Sequence, residues 1–309
     1  MLDKAFAHAL GEVGLHILWE SVKGDLEPIQ RAHDSIHEFI YIAPLMFPRE
    51  GGPSWHTRSA FLLYHWEVGD TAHRSLLEAL CGYYNTAFTL LRTALELVLK
   101  GAFYEGLAHR QFRAKSHALG KDENGRRLKQ FLDNVITNQP SVAEAFEKTS
   151  AAIYDRVESI IDEPRYRPSI KTILAQLSEW GFLERLRIGS IRDVYSRLSK
   201  DVHALPDYTD VGRVLLGPSE LLFESKKVDR KVLCEYLQVQ CLVMDVGIEA
   251  ELNILRDNMK FANVRSNLAG QIRFLEELGM TNAVQVMTEL LGEHDSPVKN
   301  QTFDSRNSG

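Results

Sequence analysis

Cysteine is nearly absent. Cys81, Cys234 and Cys241 are the only three in 309 residues, too few and too scattered for a disulfide framework or a thiolate zinc site. They read as small buried hydrophobes in a reducing compartment. Long apolar runs are missing too: nothing reaches the roughly 18 residues of a spanning helix, and the nearest run is broken by Arg92, Glu96 and Lys100. The opening stretch MLDKAFAHALGEVGLHILWESVKG lacks the continuous apolar segment of a secretory signal and has amphipathic helical spacing instead. A cytoplasmic location without membrane association is the expectation. Positive charge is not in excess either. The formal net charge is −6, which argues against a protein coated in basic residues for duplex binding.

The nucleotide and hydrolase signatures are also missing. No GxxxxGKS/T, GxGxxG or GxSxG occurs, so phosphate-cradling loops and nucleophile elbows have no support and no cofactor is expected. His33 and His37 stand four apart, the helical spacing of two metal ligands, but HExxH is absent and no third ligand is evident. His65 and His73 flank Trp66, Glu67 and Asp70 at no recognisable spacing. No metal is therefore expected. Fixed-period repeats and alternating strand patterns bounded by hairpin turns are lacking as well.

What remains is helical spacing almost everywhere, with hydrophobic residues at 44% and charged residues at 25%, values of an ordinary globular chain. Helices are predicted over Leu2–Val22, from an Asp25 cap to Leu45, and from Ser59 onward. A central helix is predicted from about Asp70 to Gly106, burying Leu76, Leu77, Leu80, Tyr84, Ala87, Leu91, Leu95, Val98 and Phe103, with Gly82 in its interior. Its LLRTALELVL run (Leu90–Leu99) is apolar on nearly every side, the mark of an enclosed helix. Arg92 and Glu96 are its exceptions and share a face where they can pair. Between His109 and Lys129 the chain holds seven Lys/Arg against two acids; it reads as a solvated basic face, with GKDENG as an exposed loop. Ser141 and Glu144 have capping-box spacing. Ser169–Trp180, stopped by Gly181, and Ile188–His203 are further helices. Asp229 caps a long one to about Phe261 in which Asp245 needs a partner. Gly279 and Gly292 are positioned to end two more. FPREGGPSW (Phe47–Trp55) is the boundary in the N-terminal part. The fold class expected is all-α, an antiparallel bundle at 56–262 with an N-terminal helical extension at 1–55 and C-terminal helices with a disordered tail at 263–309.

The Ile188–His203 helix reads IGSIRDVYSRLSKDVH. Its core stripe is Ile188, Ile191, Val194, Leu198 and Val202; beside it Tyr195, Ser199 and His203 step by four, so a hydroxyl and an imidazole share a face. Arg197 is also spaced by four from Asp193 and Asp201, which offers it a surface ion-pair ladder.

A buried helix carrying LLRTALE followed by a helix ending in RLSKDVH resembles the HEPN superfamily of all-α proteins, over about Ser59 to Phe261. The shared motif is an Arg, four to six residues, then a His, matched by Arg197 and His203. Members active as nucleases usually carry a polar residue directly after the Arg; this chain has Leu198. The resemblance implies metal-independent RNA cleavage at a homodimer interface, in a toxin–antitoxin or anti-phage defence setting with an antitoxin or defence partner. Arg197 and His203 would act there, supported by Tyr195 and Ser199, with Arg92 and Glu96 behind them. A catalytically silent HEPN-like binding or regulatory module, or a helical scaffold for a partner protein, are the alternatives.

Overall fold

The computed structural model describes residues 22–47, 55–161, 163–202 and 228–295, together with Lys4. Among them every regular element is helical and no strand occurs, as the spacing predicts. No described helix is long and apolar enough to cross a membrane. Of the expected features, most of the first helix, most of Phe47–Trp55, His203 and the tail beyond residue 295 lie outside the described residues.

Helix α1 (Leu26–Leu45) turns Ile36, Phe39, Ile42 and Ala43 into the core. Asp25 stands at its N-cap position but makes no capping bond; its carboxylate meets Arg230 at 3.2 Å instead. The expected central helix is in fact two. Helix α2 (Ala60–Leu80) and helix α3 (Tyr84–Ala108) are joined by a tight turn at Cys81–Tyr83, where Gly82 takes φ +77°. A side chain there would be strained, while a Cβ would touch nothing. Gly82 therefore supplies a backbone conformation, not the close packing expected of an interior glycine. Leu77 lies off the buried face of α2, which carries Val68, Ala72, Leu76 and Ala79, and is 62% exposed, outside the expected core. Close packing occurs at Gly69 instead, where a Cβ would lie 2.8 Å from Ile40 Cδ1 of α1.

Ser59 caps α2, its Oγ accepting from Leu62 N–H at 3.2 Å. The α2–α3 hairpin then brings Glu105, near the end of α3, to the start of α2. Glu105 Oε2 accepts from Ser59 Oγ (2.8 Å), Ser150 Oγ (2.7 Å) and the Phe61 amide (3.1 Å). His109 Nε2 sits 3.1 Å from Oε1.

The basic stretch folds as helices α4 (Arg110–Arg113), α5 (His117–Lys121) and α6 (Glu123–Asn138). GKDENG is not a loop: Asp122 accepts from Gly125 N–H at 2.9 Å and caps α6. Helix α7 (Pro140–Lys148) starts on Gln139 with Pro140 in its first turn, so Ser141 and Glu144 form no capping box; Glu144 pairs with Lys148. Helices α8 (Tyr154–Ile161), α9 (Ile170–Trp180, ended by left-handed Gly181) and α10 (Ile188–Val202) follow.

Helix α11 (Arg230–Ile254) packs on α1, α2 and α3. It ends at Ile254, short of the expected Phe261, and a 3-10 turn over Arg256–Lys260 takes over. Cys234 on α11 is exposed, not buried. After α12 (Ala262–Ala269) and α13 (Ile272–Leu278), helix α14 (Thr281–Asp295) runs through Gly292; of the two expected terminators only Gly279 ends a helix, at φ +75°. The partner for Asp245 is the start of α14, whose Asn282 and Ala283 amides donate to it at 3.2 and 2.8 Å. Burial still pushes its pKa up to about 6 against those bonds.

Candidate functional site

Helix α10 docks on α3 through Ile191 and Leu198, which are 2% and 0% exposed. With that stripe buried, the neighbouring Tyr195 stripe falls at the edge of the contact, opposite the only charged pair of LLRTALELVL. Arg92 Nη2 donates to Tyr195 Oη at 2.8 Å, and that hydroxyl donates to Glu96 Oε1 at 2.9 Å. Arg92 Nε also donates to Glu96 Oε1 (3.1 Å), and Lys100 Nζ to Oε2 (3.2 Å). The Arg92 guanidinium carbon lies 4.9 Å from the Tyr195 ring centre. Burial disfavours the Glu96 charge, but the Tyr195 hydroxyl and the Lys100 and Arg92 cations outweigh it and hold its pKa below the usual value. The Tyr195 phenol is pushed up, by burial first and by Glu96, so it is a hydrogen-bond relay and not a base. Because one hydroxyl serves two ions, Tyr195→Phe should cost about 1.5–3 kcal/mol, read as a lower urea midpoint. An unchanged midpoint would show that the helices are held by apolar contact alone.

Two residues on, and so about 200° round the helix from Tyr195, Arg197 sits on the other flank of the buried stripe, in the seam of α3, α10 and α11. Its Nε donates to Glu235 Oε1 at 2.8 Å, and its guanidinium carbon lies 4.6 Å from the centre of the Phe88 ring. A carboxylate against it thus comes from α11. Glu235 carries no sequence signal of this role, since a lone acid on a long helix reads as surface. Leu198, the apolar residue directly after Arg197, is fully buried and belongs to the α3–α10 packing. Ser199 Oγ donates to the Tyr195 carbonyl at 2.7 Å, the bond a helical serine makes to its own preceding turn. So Arg92, Glu96 and Tyr195 form one network, Arg197 lies on the other flank of α10 with Glu235, Ser199 is satisfied within its helix, and His203 is outside the described residues.

A second cluster lies between α1 and α2. His33 Nε2 and His37 Nε2 are 3.1 Å apart. His73 of α2 closes the group, with ring centres 5.8 Å from His33 and 5.2 Å from His37. One ring nitrogen of each lies within 4.8 Å of the others. The third imidazole that sequence reasoning missed is therefore His73. A faint signal existed: Gly69 and His73 share a helical face, and the absent Cβ of Gly69 lets α1 approach that face. The His37 pKa is lowered by burial and by His33 and His73, with Asp34 opposing.

A cleft of about 470 Å³ opens between α4, α6 and α7, where Arg110, Arg113 and Lys129 face Asp133 and Glu147. Arg113 there donates to the Leu107 and Ala108 carbonyls at 2.7 and 2.6 Å, so it serves the C-terminus of α3. Compared with known proteins, the chain matches no family model, no curated protein and no solved structure.

Proposed function

We propose that this chain is a metal-independent endoribonuclease of the HEPN type, acting on RNA as a homodimer in a toxin or anti-phage defence setting. The observation that supports this reading is the Arg92–Tyr195–Glu96 network. It ties together the two segments that carry the resemblance, docking α10 on α3. In the proposed reaction the RNA 2′-oxygen attacks the adjacent phosphorus and the 5′-oxygen leaves, giving a 2′,3′-cyclic phosphate and a 5′-hydroxyl. His203 moves the proton between these oxygens. Arg197 offsets the charge growing on the phosphate. Glu235 must yield to the phosphate, and its side chain is 43% exposed, so the pair it gives up is worth only about 0–1 kcal/mol.

The buried Leu198 and the Arg197–Glu235 pair favour a second reading, the silent HEPN-like module that binds or regulates a partner. One comparison separates them. His203→Ala should slow cleavage of total RNA by about 10²–10⁴-fold and relieve growth arrest in an expressing cell. Arg197→Ala should act in the same direction. If both variants match the wild type, or the wild type leaves RNA intact as a dimer, the nuclease reading fails and the silent module stands.

A further inference from the structure

The His33–His37–His73 group is chemically unlike the rest of the surface. Three imidazoles converge from two helices. In a tetrahedral zinc site with Zn–N near 2.0–2.1 Å, ligand nitrogens stand about 3.3 Å apart. His33 and His37 are already at 3.1 Å. The widest separation in the group, within 4.8 Å, closes by a rotation of half-buried side chains.

The surroundings have the order a metal ligand needs. Asp34 Oδ1 lies 3.2 Å from His33 Nδ1. A carboxylate accepts, so this contact favours a proton on His33 Nδ1, and the neutral ring in that tautomer offers its Nε2 lone pair on the side of His37. Gln30 Nε2 donates to the same Asp34 oxygen at 2.7 Å and fixes it. Metal-bound histidines are oriented by just such an acceptor on their far nitrogen. Tyr41 stacks on His37 with ring centres 5.9 Å apart and covers one flank.

We propose that His33, His37 and His73 form a binding site for a divalent transition metal of the zinc class, with a fourth position open to water. The site is built on α1 and α2, so the metal acts as a clasp between two helices. Its test is independent of any nuclease activity.

The full-length chain, stripped by chelation, is titrated with Zn²⁺ and separately with Co²⁺. One equivalent should bind per chain, raising the melting temperature. Bound Co²⁺ should give the visible bands of a four-coordinate nitrogen–oxygen site without thiolate charge transfer, which separates it from Cys81, Cys234 and Cys241. Asp34→Asn should weaken binding by about 10–100-fold, and His73→Ala by more than about 100-fold, with circular dichroism as the folding check. His33→Gln replaces His73→Ala if that variant does not fold. Absence of binding by the wild type, equal affinity in wild type and variants, or a thiolate spectrum would each overturn the site.

Discussion

Glu105→Ala should lower the stability of the folded chain by about 3–5 kcal/mol, since it removes one partner from a buried charged network and leaves the others unsatisfied. Oε2 alone accepts from Ser59, Ser150 and the Phe61 amide. Through Ser150 the bonds reach the Ala60 amide at 3.0 Å, so the carboxylate holds the start of α2, the end of α3 and the Ser150 turn at one point. Its charge also suits the positive end of α2. Burial opposes that charge, but the bonds from His109, Ser150, Phe61 and Ser59 overcome it and depress the pKa below the ordinary 4.5. The sign follows: a depressed acid adds stability that is present above about pH 4.5 and lost as the pH falls through its folded value. Buried acids with raised pKa values act oppositely. Glu38 is pushed up to about 7 and Asp245 to about 6, both mainly by burial, so they keep protons that the unfolded chain releases and cost stability as the pH rises through those values. Urea midpoints across this range should therefore peak at mildly acidic pH. Glu105→Gln should flatten the acid limb while leaving the upper limb in place. An acid limb of unchanged steepness would assign that loss to other carboxylates.

How much of this could be read beforehand differs by interaction type. Periodicity and caps are local, so Ser59, Ser169, Asp229, Gly181 and Gly279 were legible as boundaries. The pairing of Arg92 with Glu96 was legible for the same reason, being four apart on one face. The break at Gly82 was not: apolar spacing in α2 and α3 is nearly in phase across the turn, and only the left-handed φ separates them. Long-range partners were invisible. Asp245 announced its need for a donor, yet the Ala283 amide is 38 residues away. Glu235 facing Arg197 and His73 facing His37 likewise depend on which helices become neighbours. Spacing marked Tyr195 and the Arg92–Glu96 pair on two separate helices, and the fold brings their side chains together. The packing role of Leu198 was legible too, because it falls on the Ile188, Ile191, Val194 and Val202 stripe, and it is fully buried.

Gly106→Ala tests the packing that sets the helix before α10. On helix propensity alone the change should help by about 1 kcal/mol. The structure reverses the sign. A Cβ at Gly106 would fall well inside van der Waals contact of Cε3 and Cζ3 of the Trp180 ring. That ring cannot easily retreat: its Nε1 donates to the Phe112 carbonyl at 2.7 Å, and it stacks on Phe103 with centres 5.8 Å apart. Overpacking of this kind costs about 1–3 kcal/mol or more, so a net loss is expected. Gly292→Ala is the matched control, because a Cβ there meets nothing within 4 Å and α14 is continuous through it; it should be neutral or slightly stabilising. In the double variant Gly106→Ala/Trp180→Phe the smaller ring leaves room for the methyl, so the combined loss should fall short of the sum of the two single losses. The consequence reaches the candidate site. Trp180 ends α9, Gly181 turns the chain, and the Glu184 amide then donates to Glu249 Oε1 at 2.7 Å as the backbone enters α10. A displaced Trp180 moves the anchor from which Tyr195 is delivered to Arg92 and Glu96. Gly106→Ala should thus also lessen the destabilisation caused by Tyr195→Phe, whereas additive losses would show that the α9 packing and the polar network are independent.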